Sequence, residues 1–580
     1  MPKRPLTPTP SAALAAFLIA ALGATAGTAA DPPIFVEVAE SSGLDFRHHT
    51  ARVGDLQFPE MMSSGVALFD ADGDGDLDIV LGQGAPLPGA PRPKAKASLD
   101  WPPARPGARL FRNRLERPGG ELRFEDVTAA SGLGATGAAM ATNAADVDGD
   151  GDLDLFVSNY GPDTLWRNQG DGTFKDATSA AGLGDDGWSV GGTFFDADGD
   201  GDLDFLGLGY VEYDAAKNPT CFDDGSRRDY CGPDAFTGEI NRLWRNRGDG
   251  TFDDVTQASG LAVEPLASLG VVAFDADGDG RLDLYIANDG QVNRLWLAGE
   301  DGRYREEGLF AGVALNGKGQ AEAGMGIAIG DVDGDGGFDL LVTHLEKETH
   351  TLYLSQGGGL YDDRTIAWGL AAPSLPWTSF GTGFLDVDLD GDLDLFVGSG
   401  AVQEQEAQAD AGNPFPLGQP NQLYLQRSGK LVEVAVPALK QATVTRAVAI
   451  GDLDNDGDPD VVVHNTGGRP QLLKNRAGDG KPWIGLRVLD NGRDALGARV
   501  ELRRDGAPSL WRQVAVDGSY AASNDPRVVF GLDGARAKPT ALVVHWPGGT
   551  GERFAIPETG RYQLLTRGQG TPDTAPGGTS

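Results

Sequence analysis

The sequence predicts an all-β protein, a seven-bladed β-propeller followed by a small C-terminal β domain. Three observations predict it. A nine-residue aspartate string recurs seven times, each copy lies between two short apolar runs, and a second recurring phrase with a Gly-Asp-Gly turn follows.

The strings are DADGDGDLD from Asp70, DVDGDGDLD from Asp146, DADGDGDLD from Asp196, DADGDGRLD from Asp275, DVDGDGGFD from Asp331, DVDLDGDLD from Asp386 and DLDNDGDPD from Asp452. Runs such as GVALF or GVVAF precede them, and LDIVLG or LDLYIAN follow, so each string is the loop of a β-hairpin. The second phrase reads LWRNQGDGTFKDATSAAGL from Leu165 and LWRNRGDGTFDDVTQASGL from Leu243, with worn versions at Leu110, Leu295, Leu352, Leu423 and Leu472. Its turn joins two more strands. One repeat therefore supplies four strands in roughly 50 to 80 residues, the content of a propeller blade.

Residues 35–45, FVEVAESSGLD, resemble the end of the second phrase but have no blade before them. They are expected to complete the last blade and so remove an exposed sheet edge. The widest spacings hold insertions at Ala85–Pro106, Val211–Phe236 and Gln403–Gln419, surface loops of the kind that carry function. From about Trp483 the strings stop, and runs such as IGLRVL, ARVELRR and ALVVHW indicate a separate β domain. The expected organisation is a signal peptide at 1–30, the propeller at 31–478, the β domain at 479–567 and a disordered tail at 568–580.

A formal charge of -37, from 85 acidic and 48 basic residues, would repel a phosphate backbone and makes nucleic acid an unsuitable partner. The excess is concentrated, since about thirty of the aspartates lie in the strings. Two charges per bound divalent cation would cancel much of it.

The candidate metal ligands are Asp70, Asp72, Asp74, Asp76 and Asp78; Asp146, Asp148, Asp150, Asp152 and Asp154; and Asp196, Asp198, Asp200, Asp202 and Asp204. The fourth and fifth strings add Asp275, Asp277, Asp279, Arg281 and Asp283, then Asp331, Asp333, Asp335, Gly337 and Asp339. The last two add Asp386, Asp388, Asp390, Asp392 and Asp394, then Asp452, Asp454, Asp456, Asp458 and Asp460. Positions 1, 3, 5 and 9 are always Asp, whereas position 7 varies and can serve through its backbone carbonyl. Oxygens at alternating positions of a tight loop suit Ca2+, which takes six to eight of them, in about seven sites. An EF-hand would need Glu at position 12 and flanking helices; Leu81, Val157 and Gly207 stand there, and the flanks are strands. Four carboxylates packed together without a counterion would be strongly unfavourable.

Lys3-Arg4, the apolar stretch Ala12–Leu22 and small residues through Ala30 read as a signal peptide, cleaved after Ala30 or, second, after Ala26. No later stretch reaches the ~20 residues of a membrane span, and no cysteine follows the signal, so the expectation is a secreted or periplasmic protein without a lipid anchor. In that compartment Cys221 and Cys231 are expected to form a disulfide.

The strings resemble those of FG-GAP (VCBS) repeat proteins, known from integrin α-subunit propellers. NRAGDGKPWIGLRVLDNGRDALGARVELR, DPRVVFGLDG and LVVHWPGG are similar to the ASPIC/UnbV domain of the cartilage acidic protein family, as the opening GLDFRHHTARVGDLQFPEMMSSGVALFDADGDGD is to its bacterial members. The resemblance implies a calcium-dependent extracellular propeller, with metal ligands on the aspartates named above.

Other motifs carry less. Gly187–Gly191 matches G-x-S-x-G, but a nucleophile elbow needs a strand-turn-helix context. Arg247-Gly248-Asp249 occupies a turn that Gln169-Gly170-Asp171 fills without arginine. Trp166, Trp244 and Trp296 recur at one blade position, as core residues do. His48 and His49, near Glu60, form the acid/base cluster to watch, against the alternative of ordinary surface histidines. The expected function is a monomeric binding or adhesion module for an extracellular glycan or protein, without catalysis. The alternative is a calcium-dependent propeller enzyme, a lyase, hydrolase or biosynthetic cyclase, with a funnel site near His48 and His49.

Overall fold

The computed structural model describes residues 33–90, 107–134, 137–223, 225–533 and 537–573. The expected signal peptide, most of the first insertion and the last seven residues lie outside the described residues.

Each aspartate string is the connection between the first two strands of an antiparallel four-stranded meander. In the first sheet the strands are Val66–Phe69, Asp78–Leu81, Arg109–Asn113 and Phe124–Asp126. The second to sixth sheets repeat this order. The seventh consists of Thr445–Gly451, Asp460–Asn465 and Gln471–Asn475, and its fourth strand is Phe35–Glu37, paired Phe35 to Asn475. The N-terminal strand thus removes the edge that the last sheet would otherwise expose.

The first strand of each sheet packs against the first strand of the next, and that of the seventh packs against that of the first, so the sheets form a closed circuit. These inner strands are mostly buried; Val66, Ala67 and Leu68 are at most 1% exposed. Between neighbouring sheets, side chains from all four strands supply the core. Phe69, Leu155, Trp166 and Phe174 form one such layer between the first and second sheets. A buried Phe174 contributes about 1.5–3 kcal/mol. After the fourth strand the chain makes a single helical turn, as at Thr128–Ser131, where Asp126 accepts from the Thr128 amide and Gly132, at φ 80°, ends the turn.

The C-terminal residues form two further sheets. One joins Trp483–Asp490, Arg493–Asp494, Val528–Gly531 and, in parallel, Tyr562–Thr566; the other is ordered Ala507–Gln513, Arg499–Arg504, Pro539–Trp546, Thr550–Phe554, Thr571–Pro572. The last strand lies beyond Arg567, where a disordered tail is expected to begin. It is held because Glu552 accepts from the Gly568 and Gly570 amides and Arg503 grips Asp573. The core of these sheets (Ile484, Leu502, Val544) is continuous with Phe194 and Trp244 of the third sheet.

Candidate cation sites

The seven strings adopt one backbone geometry. The position 1 carboxylate accepts from the position 6 amide in every loop, at 2.9 Å for Asp70 and Gly75 and 2.8 Å for Asp452 and Gly457. The position 5 carboxylate accepts from the position 7 amide, again in all seven, including those of Arg281 and Gly337. The side chain at position 7 therefore does not set the loop. Position 4 requires a positive φ, which glycine adopts in five loops; Leu389 and Asn455 adopt it at 53° and 58°.

Position 9 opens the second strand and is buried in every sheet. Asp78 accepts from the Ala71 amide at 3.0 Å and from the Asn113 amide of the third strand at 2.7 Å, and Asp154, Asp204, Asp283, Asp339, Asp394 and Asp460 do the same. It pins the loop to two strands while keeping lone pairs for a cation.

In the first loop oxygens of Asp70, Asp72 and Asp78 lie within 4.8 Å of one another; so do those of Asp146, Asp148 and Asp150, of Asp196, Asp198 and Asp204, of Asp275, Asp277 and Asp279, and of Asp331, Asp333 and Asp339. Burial, with the neighbouring carboxylates adding to it, pushes Asp78, Asp154, Asp339 and Asp394 up to about 8 and Asp204 and Asp283 to about 7. Several buried oxygens have no hydrogen-bond partner: Oδ1 of Asp72, Asp148, Asp386 and Asp454, and both oxygens of Asp458, a residue only 1% exposed. Converging oxygens, some orphaned, around a loop of alternating carboxylates fit a hard divalent cation.

Two residues of the second phrase belong to these sites, although the sequence reading treats the phrase only as a strand. Its arginine pairs with position 3 of its own loop: Arg112 with Asp72 at 3.0 Å, Arg245 with Asp198 at 2.9 Å, and Arg167 with Asp148; Lys474 and Asp454 match them in the seventh sheet. Its asparagine crosses to the preceding sheet. Asn168 donates to Ala71 O, Asn246 to Val147 O, Asn475 to Val387 O and Asn113 to Leu453 O, at 2.7–2.9 Å. The recurrence of Arg-Asn in LWRN was the available signal.

Connections between second and third strands emerge at the end opposite the aspartate loops, and all three insertions are of this kind. On this insertion face Cys221 and Cys231 form a disulfide, and Phe222 beside it is 62% exposed. The segment before the first sheet packs here, with Phe58 stacked on Phe236 and Arg52 over Phe415. The loop face instead meets the C-terminal sheets. Residues 517–525 enter the channel between the inner strands: Ala522 and Ser523 pair with Val66 and Ala67, Ser519 exchanges backbone bonds with Ile327, and Asp517 accepts from Thr193 and the Ala273 amide. At the tip, Tyr520 packs against Phe380, on which the buried Arg446 guanidinium lies at 4.1 Å.

The channel position of a funnel site is thus occupied by the chain itself. His48 is fully buried, not a surface histidine; it accepts from the Gly467 amide at 3.0 Å and packs edge-on to His464, and burial holds it well below the usual imidazole range. Glu60 is 2% exposed, accepts from the Val53 amide, and is pushed up to about 7 by burial, with Arg52 opposing. The polar contacts of His48 are Ser63 and the Gly467 amide, and that of Glu60 is the Val53 amide. Ser189 opens a strand, not the strand-to-helix turn of a nucleophile elbow, and donates to Asp163 at 2.9 Å. Trp166, Trp244 and Trp296 are buried core residues.

The repeated loop hairpin on four-stranded sheets defines the class, and comparison with known families agrees. The FG-GAP-like repeat matches residues 146–207, 230–286, 275–342 and 386–463, the FG-GAP repeat 444–484, and the domain described as ASPIC and UnbV 489–572. The chain carries FG-GAP repeats followed by a C-terminal ASPIC/UnbV domain. It is 25% identical to cartilage acidic protein 1 of Mus musculus over 248 residues, 41% of this chain and 35% of that protein, and 25% identical to the Homo sapiens protein over 250 residues, 41% and 34%. The match therefore spans about a third of those relatives. Among solved structures, similarity extends to an Agrocybe aegerita lectin described as recognising non-reducing terminal N-acetylglucosamine (TM-score 0.36, 16% identity, 65% of this chain and 80% of that one). It extends also to BBS1N in complex with ARL6DN (TM-score 0.36, 8% identity, 77% and 97%). No helix among the described residues is long and apolar enough to cross a membrane.

Proposed function

We propose that the protein is an exported, seven-bladed, calcium-loaded propeller that binds an extracellular glycan or protein through its insertion face. One observation carries the cation reading: carboxylate oxygens converge in loops of one geometry, and buried ones among them have no partner. Calcium here holds loops and sheets together; it does not act on a substrate. Topology supports this choice of face, since the connections that carry the insertions lie opposite the aspartate loops, most of which meet the ASPIC/UnbV domain. The disulfide supports an oxidising compartment.

The test is capture of the calcium-loaded full chain on arrays of glycans and extracellular proteins. Reproducible capture that is lost on chelation and weakened by Phe222→Ser supports the reading. Capture indifferent to both, or no capture at all, rejects it.

A further inference from the structure

The glycine at position 6 meets the ASPIC/UnbV domain differently from loop to loop. In the first two loops, a Cβ built on Gly75 or Gly151 would meet nothing within 4 Å. In the next five it would lie against that domain: against Asn491 from Gly201, Gly549 from Gly280, Trp511 from Gly336, Leu510 from Gly391 and Trp483 from Gly457. The carbonyls of four of these glycines accept from the domain. Arg493 donates to Gly201 O at 2.8 Å, the Gly548 amide to Gly280 O at 2.8 Å, Arg499 to Gly336 O at 2.6 Å and Arg512 to Gly391 O at 3.1 Å. At the seventh loop Arg527 donates to Asp452 O at 2.7 Å and to Asn455 Oδ1 at 2.6 Å.

Each contact depends on loop backbone conformation. Position 6 has φ between 88° and 100° in all seven loops, so loops three to seven offer the domain one shared backbone conformation. The same peptide segment donates its position 6 and 7 amides to the carboxylates of positions 1 and 5, the groups expected to hold the cation. A loop that lost its cation would have crowded carboxylates pushing apart, and those amides and the position 6 carbonyl would move with them.

We infer that the ASPIC/UnbV domain is an interaction module for the cation-loaded conformation of loops three to seven, with Arg493 reaching also Asp146 of the second loop at 3.6 Å, so that docking, insertion of residues 517–525 into the channel and cation binding form one linked equilibrium. The inference rests on the cation reading above and goes beyond it. A domain that binds only the loaded loops raises their cation affinity by the same factor that cations raise docking. The sign separates this from simple electrostatics. Arginines acting only as nearby positive charges weaken cation binding, so their removal would strengthen it; arginines acting as docking anchors do the reverse.

The experiment is calcium titration of the full chain by calorimetry, with hydrogen exchange at residues 515–526 as an independent readout. Arg493→Ala/Arg512→Ala is expected to weaken calcium binding at least about fivefold. Ser519→Ala, which removes a 2.7 Å bond to Val448 O inside the channel and touches no loop charge, is expected to weaken it in the same direction and covers the case of a misfolded double variant. Removing calcium should also expose the 515–526 amides. Unchanged or stronger affinity in both variants, or exchange at 515–526 independent of calcium, overturns the inference while leaving the cation reading standing. Failure of the unmodified chain to bind calcium removes both.

Discussion

The side-chain amide of Asn113 in the first sheet lies 2.9 Å from the carbonyl oxygen of Leu453 in the aspartate loop of the seventh, while its other contact, at 3.2 Å, is Leu77 O in its own loop. One buried side chain thus joins the two ends of the circuit and ties two aspartate loops together. Replacing it by alanine leaves two buried carbonyls short of a donor. We expect Asn113→Ala to cost about 2–3 kcal/mol in urea unfolding, against a negligible effect for a polar substitution on the exposed outer strands.

The buried position 9 carboxylates predict an unusual pH dependence. The folded values of Asp78, Asp154 and Asp204 lie near 7 to 8 against about 3.9 in the unfolded chain. Because the folded value is raised, the calcium-free protein has this stability in full below about pH 4 and loses it as pH rises through 8. Calcium replaces the proton, so the rise in melting temperature on adding calcium should be small at pH 5 and large at pH 8. An equal rise at both values would contradict the assignment.

Asp458 has two orphaned oxygens, and burial together with Asp456 pushes its carboxyl upward. Because position 7 can serve through its backbone carbonyl, Asp458→Asn is expected to weaken calcium at the seventh loop while leaving the number of bound ions unchanged in metal analysis. In calcium-free buffer at pH 8 the same variant should be more stable than the parent, because it removes a charge that has no counterion there.

His48 has no surface role to lose. His48→Ala should cost about 2–4 kcal/mol through the cavity and the unpaired Gly467 amide, measured by thermal unfolding, and calcium stoichiometry should not change. A variant as stable as the parent would show that the imidazole is not structural.

The disulfide closes a hairpin whose two strands, Cys221–Phe222 and Arg228–Asp229, are two residues each. Cys221→Ser/Cys231→Ser should free residues 212–236 to proteolysis, with a local loss of up to about 3 kcal/mol, while the rest of the chain resists cleavage. Uniform loss of resistance would place the disulfide in the global core.

The repeated strands, the loop positions 1 to 9 and the N-terminal strand that completes the seventh sheet were all legible in the sequence. Each depends on local chemistry: alternating carboxylates, a positive φ at glycine, and apolar runs of strand length. That is also why Arg281 and Gly337 could be placed in the loops despite departing from the acidic pattern, since their amides make the same bond as an aspartate's.

What the tertiary structure alone decided involves residues far apart in the chain. Nothing in the string around Asp196 shows that Arg493, almost three hundred residues later, donates to Gly201 O, or that Tyr520 fills the channel beside Phe380. His48 looks like a free acid/base group in sequence and is buried in the structure, because the circuit brings His464 and Gly467 onto it. Burial and partner choice at these sites arise from closure of the sheets and docking of the ASPIC/UnbV domain. Both are long-range packing events, and a local pattern of residue types does not encode which distant surface will cover it.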